Sequence, residues 1–242
     1  MSDPPHDLTP WDDAQRRGIA LLGACLARLQ PGMSNRDVRV LAGDLLAVHG
    51  FEGWGSPPDI RVGPRTRSGF LAGRLTPAVL LEDDLVTLAL NPWSDRAMAD
   101  VAATVHLGGV EPPLLDLART CTRATCGYAT RHKCVGELFV FARSWAANHR
   151  LSLVGRSVGH ALLAPEGALA QGWPRSARLA AWLQHHQAHF LNSERVRGLW
   201  AIGPRLADAS RGALFREVIV VRDDVHRVLG RDDLASVGTF EG

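Results

Sequence analysis

Two ionisable residues in predicted strands are the first candidates for chemistry in this chain. Residues 84–92 and 98–101 predict two apolar strands joined by a polar turn, and the second strand carries the carboxylate of Asp100 inward. His160 lies in a later predicted strand, where small residues precede it. A lone histidine is often structural, but an imidazole that faces a carboxylate can also transfer protons.

A third candidate depends on the register of a late strand. Residues 214–221 predict a strand in which successive side chains point to opposite faces, so either Arg216 or Glu217 faces inward. A one-residue slip that turned Glu217 inward would also turn Val218 and Val220 around. The favoured register therefore has Arg216 inward and Glu217 on the opposite face.

Two other sets of residues have ligating side chains without the spacing of a familiar metal site. The first set comprises Cys121, Cys126, His132 and Cys134. It lacks the tight pair of cysteines found in structural zinc sites, so we interpret the cysteines as small buried helix residues. His185 and His189 share one face of a predicted helix, but no glutamate completes a zinc-protease motif, and we interpret them as solvated.

The composition is that of an ordinary globular protein and excludes several classes. With 242 residues, 46% hydrophobic and 21% charged, the chain can bury a sizeable core. The net charge of +2 is too small to indicate nucleic acid. No apolar run has the length of about 18 to 20 residues that a membrane span needs, and the N-terminus has no signal-peptide pattern. We therefore expect a cytoplasmic protein without nucleic-acid or membrane partners.

The order of predicted elements repeats. Residues 11–29 and 35–49 predict a helix pair, and Ser34 is the predicted N-cap of the second helix. Residues 114–131 and 135–149 predict a second pair of the same kind. Strands follow each pair, so the chain consists of two similar halves.

This duplication predicts one α+β domain at residues 11–230, with pseudo-symmetric halves at about 11–110 and 111–230 and tails at 1–10 and 231–242. We expect a curved antiparallel sheet with the helix pairs on its outer face. The crevice between the halves is then the expected ligand site.

The strand motifs and the duplicated layout resemble metallopeptidase family M24, the methionine aminopeptidase and creatinase-like proteins with the pita-bread fold. The resemblance implies five ligands (two Asp, two Glu and one His) that bind two divalent cations. The matching positions in this chain are Ala89, Asp100, His160, Gly203 and Arg216. Of these, only Asp100 and His160 are ligand residues, and an inward Arg216 would repel a dication. We expect a divergent member that binds no metal and uses no cofactor.

On this interpretation Asp100, His160 and Arg216 form the catalytic set. Arg216 could pair with Asp100 merely to hold the halves together, or it could bind a carboxylate, phosphate or enolate of a small ligand. The expected substrate-binding residues, in the crevice walls and beside the lost ligands, are Trp54, Asn91, Trp200 and Glu217.

Three functions are compatible with these residues. The first is metal-independent acid–base chemistry on a small molecule, of lyase, isomerase, dehydratase or cyclase type, in a biosynthetic pathway. The second is a non-catalytic peptidase-like protein that binds a peptide or protein, and the third is a residual M24-type metallohydrolase with misplaced ligands such as Glu217, Asp95 or His106. The first is favoured because a buried ionisable trio is costly to keep for binding alone. We expect a small-molecule substrate, with a homodimer possible.

Overall fold

Helices and strands alternate in two similar blocks along the chain. The computed structural model describes residues 7–68, 77–94, 97–162, 188, 191–222 and 226–230. The helices are α1 (Thr9–Leu26), α2 (Asn35–Leu46), α3 (Pro113–Tyr128) and α4 (Val135–Asn148), with short 3-10 turns at Ala47–His49 and Gly63–Arg67. The strands are β1 (Gly53–Val62), β2 (Leu85–Trp93), β3 (Val101–His106), β4 (Ser152–Leu153), β5 (Gly159–Ala161), β6 (Gly198–Ile202), β7 (Arg205–Ala207), β8 (Gly212–Leu214), β9 (Glu217–Val221) and β10 (His226–Val228).

The second helix of each block begins with the same kind of cap. The Ser34 hydroxyl accepts a hydrogen bond from the backbone N–H of Asp37 (3.2 Å), and the Asp37 carboxylate accepts one from the N–H of Ser34 (2.8 Å). At the start of α4, the N–H of Cys134 donates to the Glu137 carboxylate (2.6 Å). Both arrangements satisfy backbone groups that the first helical turn leaves unpaired.

The two capping residues also make equivalent longer-range contacts. Ser34 forms an isolated antiparallel bridge with Val79, and Cys134 forms one with Arg195. Each cap is therefore tied to a segment that follows its helix pair, and the duplication visible in the sequence extends to tertiary contacts.

Among the described residues, three antiparallel sheets lie against the helices, in the orders β1-β2-β3, β10-β9-β6-β5 and β4-β7-β8. An isolated bridge between Ala102 of β3 and Arg216, just before β9, joins the first sheet to the second. The first sheet is joined to the third because the Thr104 hydroxyl accepts from the N–H of Leu214 (2.9 Å) and lies 3.2 Å from its carbonyl oxygen. The sheets are thus connected across the halves of the molecule.

Alternation along the strands decides which side chains face the helices. Ile60 of β1 and Leu88 of β2 belong to a buried apolar cluster with α1 and α2. Trp200 of β6 and Ile219 of β9 belong to a second cluster with α3 and α4. We call the opposite side of β1, β2 and β3, where Asp59, Ala89 and Ala102 lie, the inner face.

The elements differ from the sequence prediction mainly at strand ends. Two register shifts let β1 begin at Gly53, ahead of the strand predicted from residue 59, because a bulge accommodates the prolines in between. The single strand predicted at 214–221 is divided into β8 and β9. The helix predicted at 176–190 lies largely outside the described residues. In the described ranges, no helix is both long enough and apolar enough to cross a membrane.

Candidate active site

Four paired residues form a row across the inner face. Asp59 of β1 pairs with Ala89 of β2, Ala89 pairs with Ala102 of β3, and Ala102 forms the bridge to Arg216. Residues directly opposite one another in an antiparallel sheet point to the same side. The row therefore has a charged residue at each end and two short alanine side chains between them.

Asp100 lies next to this row and binds two basic groups at once. The His160 imidazole Nε2 lies 2.7 Å from Asp100 Oδ2, and the Arg216 guanidinium Nη1 donates to Asp100 Oδ1. Asp100 is 1% exposed and His160 is buried, whereas Arg216 is half-buried. The structure therefore brings together the three residues predicted as catalytic, with Arg216 in the inward register.

The backbone of Asp100 is held from behind by α1. The amide of Gln15 accepts a hydrogen bond from the N–H of Asp100 (3.1 Å) and donates to its carbonyl oxygen (3.2 Å). The Asn91 amide donates to the carbonyl of Ala99 (3.1 Å) and lies 3.4 Å from Asp100 Oδ2. Asn91 therefore lies beside the site, and its role in substrate binding stays a prediction.

The two basic neighbours keep Asp100 ionised. Burial raises the pKa of the Asp100 carboxyl, but the charges of Arg216 and His160 and the hydrogen bonds from both outweigh burial, so the pKa lies below its ordinary value. An ionised carboxylate only accepts hydrogen bonds, so His160 Nε2 carries the proton in this pair. Asp100 can therefore orient the imidazole and stabilise a positive charge on it.

A second charged group on the inner face was not anticipated from the sequence. Arg61 of β1 donates to Asp59 Oδ2 through Nε (3.0 Å) and Nη2 (2.8 Å). Arg205 of β7 reaches the same oxygen at 3.9 Å and donates through Nη1 to the carbonyl of Thr66 (2.8 Å). The alternation of Asp59 and Arg61 in a predicted strand was the available signal, because both must share one face.

Two predicted substrate-binding residues lie elsewhere. Trp200 is fully buried in the second apolar cluster, pairs with Ala161 and Ile219, and donates its indole N–H to the carbonyl of Arg197 (2.8 Å). Because His160 occupies the alternate position to Ala161, Trp200 points away from the catalytic set. The expectation that Trp200 lines the crevice is wrong.

Glu217 requires a similar correction. It follows Arg216 directly and pairs with Ile202, which belongs to the cluster under α3 and α4. Strand alternation therefore places its side chain on the helix side, and Glu217 cannot share the crevice with Arg216. Trp54 is half-buried against the first apolar cluster, and its proposed role as a crevice wall stays a prediction.

The ligand positions implied by the family resemblance do not fit a pair of metal ions. Ala89 offers no donor atom, and Arg216 places a cation on the carboxylate that would bind the metal. A side chain at Gly203 would place its Cβ 2.7 Å from the carbonyl oxygen of Phe215, so the backbone occupies the space that a ligand would need. In the described ranges, no three His, Cys, Asp or Glu side chains group as metal ligands.

Other candidate ligands do not change this result. His106 is engaged with Asp83 at 2.8 Å. Asp95, His185 and His189 lie outside the described residues. Burial raises the pKa of Cys121 to about 12, so it is neither a thiolate ligand nor a nucleophile near neutral pH.

A groove lies away from these residues on the outer surface of α4. It has a volume of about 550 Å³, and Tyr128, Val140, Phe141 and Leu191 are among its lining residues. Val140 and Leu191 are exposed. None of the predicted site residues contributes to this groove.

Comparison with known proteins agrees with the fold. The sequence profile of metallopeptidase family M24 matches residues 12–164, which is more than half of the chain. This protein belongs to metallopeptidase family M24. The predicted pita-bread fold is confirmed, and the family assignment made from the strand motifs is confirmed with it.

Several solved structures share the fold at low sequence identity. Xaa-Pro dipeptidase from Bacillus anthracis superimposes with a TM-score of 0.76 at 14% identity, over 96% of this chain and 62% of that protein. Dipeptidase PepE from Mycobacterium ulcerans gives 0.76 at 15% identity, over 96% of this chain and 60% of that protein. Methionine aminopeptidase from Thermotoga maritima gives 0.63 at 16% identity, over 91% of this chain and 95% of that protein. No curated protein matches the sequence.

Proposed function

We propose that this M24 protein is a metal-independent enzyme that performs acid–base chemistry on a small molecule. The observation that carries the proposal is the buried Asp100 carboxylate, which binds the His160 imidazole and the Arg216 guanidinium in place of metal ions. A buried ionisable trio of this kind costs desolvation energy that a purely structural contact could avoid.

Each member of the trio has a separate role in this proposal. His160 exchanges the proton with the substrate, because an imidazole that a carboxylate orients can act as general acid and general base. Asp100 holds the protonated Nε2 and stabilises the imidazolium, while its lowered pKa makes it a poor proton acceptor. Arg216 binds the negative charge that develops on the substrate, as a guanidinium does for carboxylate, phosphate or enolate oxygens.

This division of roles suits reactions that move a proton next to a stabilised negative charge. Lyase, isomerase, dehydratase and cyclase steps all have this requirement, and we place the reaction in that group, within a biosynthetic pathway. The substrate is a small molecule, because the trio lies behind a row of short side chains and not on an open surface.

The test uses proton exchange, which needs no knowledge of the natural product. Purified protein is incubated in D₂O with a panel of hydroxy and oxo acids and sugar phosphates, and loss of carbon-bound protons is followed by NMR. We expect exchange in at least one substrate, lost in His160→Gln and kept in Arg119→Met, which removes an arginine outside the trio. Exchange that survives in His160→Gln contradicts the proposal. Peptide hydrolysis that requires added manganese or cobalt would support the residual hydrolase instead.

A peptide-binding protein without catalysis is the second candidate, and the groove on α4 favours it. Its exposed Val140 and Leu191 offer apolar contacts to a peptide. Binding of a peptide library that is weakened by Val140→Asp and unaffected by His160→Gln, without proton exchange in any substrate, would select this function.

A further inference from the structure

The inner face carries more guanidinium groups than carboxylates in the part of the chain that the structure describes. Arg61, Arg205 and Arg216 meet Asp59 and Asp100 there. Arg61 and Asp59 make a two-point contact, and Arg216 contacts Asp100. Since each carboxylate already has a close cationic partner, Arg205 is left as the excess positive charge.

Arg205 is poorly compensated for a buried cation. Its Nη2 is 3.9 Å from the Asp59 oxygen that Arg61 already contacts, and its hydrogen bond goes to the neutral carbonyl of Thr66. Burial and the charge of Arg61 lower the pKa of Arg205 to about 9, with Asp59 opposing and Arg216 adding to the effect. The group is still charged near neutral pH, and its charge is costly in this place.

Arg216 has donor capacity to spare on the same side. Its Nη1 is used by Asp100, but its buried Nε has no hydrogen-bond partner within the described ranges. An unpaired buried donor carries a desolvation cost that a ligand oxygen would remove.

Two short side chains lie between the Asp59 end of the row, which Arg205 reaches, and Arg216. These are Ala89, which is half-buried, and Ala102, which is buried. With strands about 4.8 Å apart, the row spans roughly 14 Å between its end Cα atoms, which is enough for a small molecule. The two alanines add little bulk of their own to this length, and Ala89 is its more exposed part.

We propose that Arg205 and Arg216 form a subsite for an anionic group of the substrate, a carboxylate or a phosphate. The subsite deepens the proposed function, on which it rests for the identity of the crevice as the substrate site. An anion here would neutralise the excess charge of Arg205 and accept a hydrogen bond from Arg216 Nε, while the rest of the molecule faces His160.

A purely structural role for Arg205 predicts a different behaviour. Its bond to Thr66 holds the 3-10 turn at Gly63–Arg67 against β7, so its loss could simply weaken the fold. If Arg205 is only structural, anions should not bind to it, and neutralising Asp59 should destabilise the fold. An anion subsite should instead bind more tightly when Asp59 is neutralised, because the competing carboxylate is gone.

The experiment measures binding of inorganic phosphate and of malonate by calorimetry at constant ionic strength. We expect saturable binding of one probe, which identifies the group as phosphate or carboxylate. Arg205→Met should weaken it by about thirtyfold or more, Arg205→Lys by less, and Asp59→Asn should tighten it. Arg119→Met, which removes an arginine that pairs with Glu111 outside the row, is the matched control and should bind as the wild type does.

The outcomes separate this inference from the proposed function. No saturable binding of either probe to folded protein, or equal binding by the Arg205 and Arg119 variants, would overturn the subsite. If Arg205→Met does not fold, the direction of the Asp59→Asn effect decides alone. His160→Gln should keep anion binding, so probe binding without proton exchange in any substrate would retain the subsite and reject the acid–base enzyme.

Discussion

The contact between Arg216 and Asp100 should be worth more to stability than any surface ion pair in the protein. Arg216→Met removes the cation while it keeps the length of the side chain, and it leaves a carboxylate that is 1% exposed. Breaking a buried pair from one side costs about 3 to 5 kcal/mol. We expect about 3 kcal/mol, at the low end, because Arg216 is partly solvated and His160 still contacts Asp100.

A double-mutant cycle isolates the interaction. Asp100→Asn keeps the shape of the carboxylate, and the double variant Asp100→Asn with Arg216→Met has neither charge. We expect the double variant to be more stable than additivity predicts, with a coupling energy of about 2 kcal/mol. Urea unfolding followed by tryptophan fluorescence gives the free energies, and the single Arg216 variant should lower Tm by about 6 to 12 °C.

The matched control is the exposed pair between Arg119 and Glu111 on the surface of α3. Its side chains are 32% and 49% exposed. Arg119 also lies over the Phe215 ring, 4.6 Å from its centroid, and methionine keeps a contact with that ring, so Arg119→Met should cost about 1 kcal/mol or less. A coupling energy below about 0.5 kcal/mol for Arg216 and Asp100, or equal losses at the two sites, would refute the view that this contact replaces the metal ions in holding the crevice together.

Three further predictions follow from the same structure. The pKa of Asp100 in the folded protein lies below its ordinary value of 3.8. The ionised carboxylate therefore contributes stability at pH values above 3.8, and this contribution is lost as the pH falls through the lower folded pKa. Asp100→Asn should make the stability measured by urea unfolding less dependent on pH in this acid range. Gly203→Ala should cost about 1 to 3 kcal/mol because its Cβ meets the Phe215 carbonyl at 2.7 Å, whereas Gly43→Ala, with nothing within 4 Å in α2, should gain about 0.5 to 1 kcal/mol; a harmless Gly203 variant would contradict the close approach. Manganese, cobalt or zinc should neither stabilise the protein in thermal shift assays nor remain bound in elemental analysis, and about one or two ions per chain would overturn the site described above.

The parts of the fold that depend on local pattern could be predicted from the sequence. Ser34 and its neighbours define a capped helix in the sequence, and the same pattern at Cys134 shows the duplication. The inward register of Arg216 followed from strand alternation, since the opposite choice would have turned Val218 and Val220 to the other face. These inferences use distances of only a few residues along the chain.

The parts that depend on distant contacts could not be predicted. The contact of Arg205 with Asp59 joins residues 146 positions apart, and no local pattern shows that β7 meets β1 through the turn at Gly63–Arg67. Trp200 was misplaced for a related reason, because an aromatic residue in a central strand has the same pattern whether it faces a crevice or a helix pair. Only the pairing with Ala161 decides its face.

The close packing at Gly203 disfavours a metal ligand at that position through the backbone, and not only through the missing side chain. A carboxylate at Ala89 would stand opposite Asp59 in the half-buried part of the row, whereas a side chain at Gly203 would collide with the Phe215 carbonyl. Arg216 follows Phe215 directly, and its guanidinium donates a hydrogen bond to the carboxylate of Asp100. The backbone that leads into Arg216 therefore fills the space beside Gly203, so we expect that single substitutions by carboxylates do not create metal binding. On the proposals made above, the inner face is a polar site with Arg205 and Arg216 as its cations.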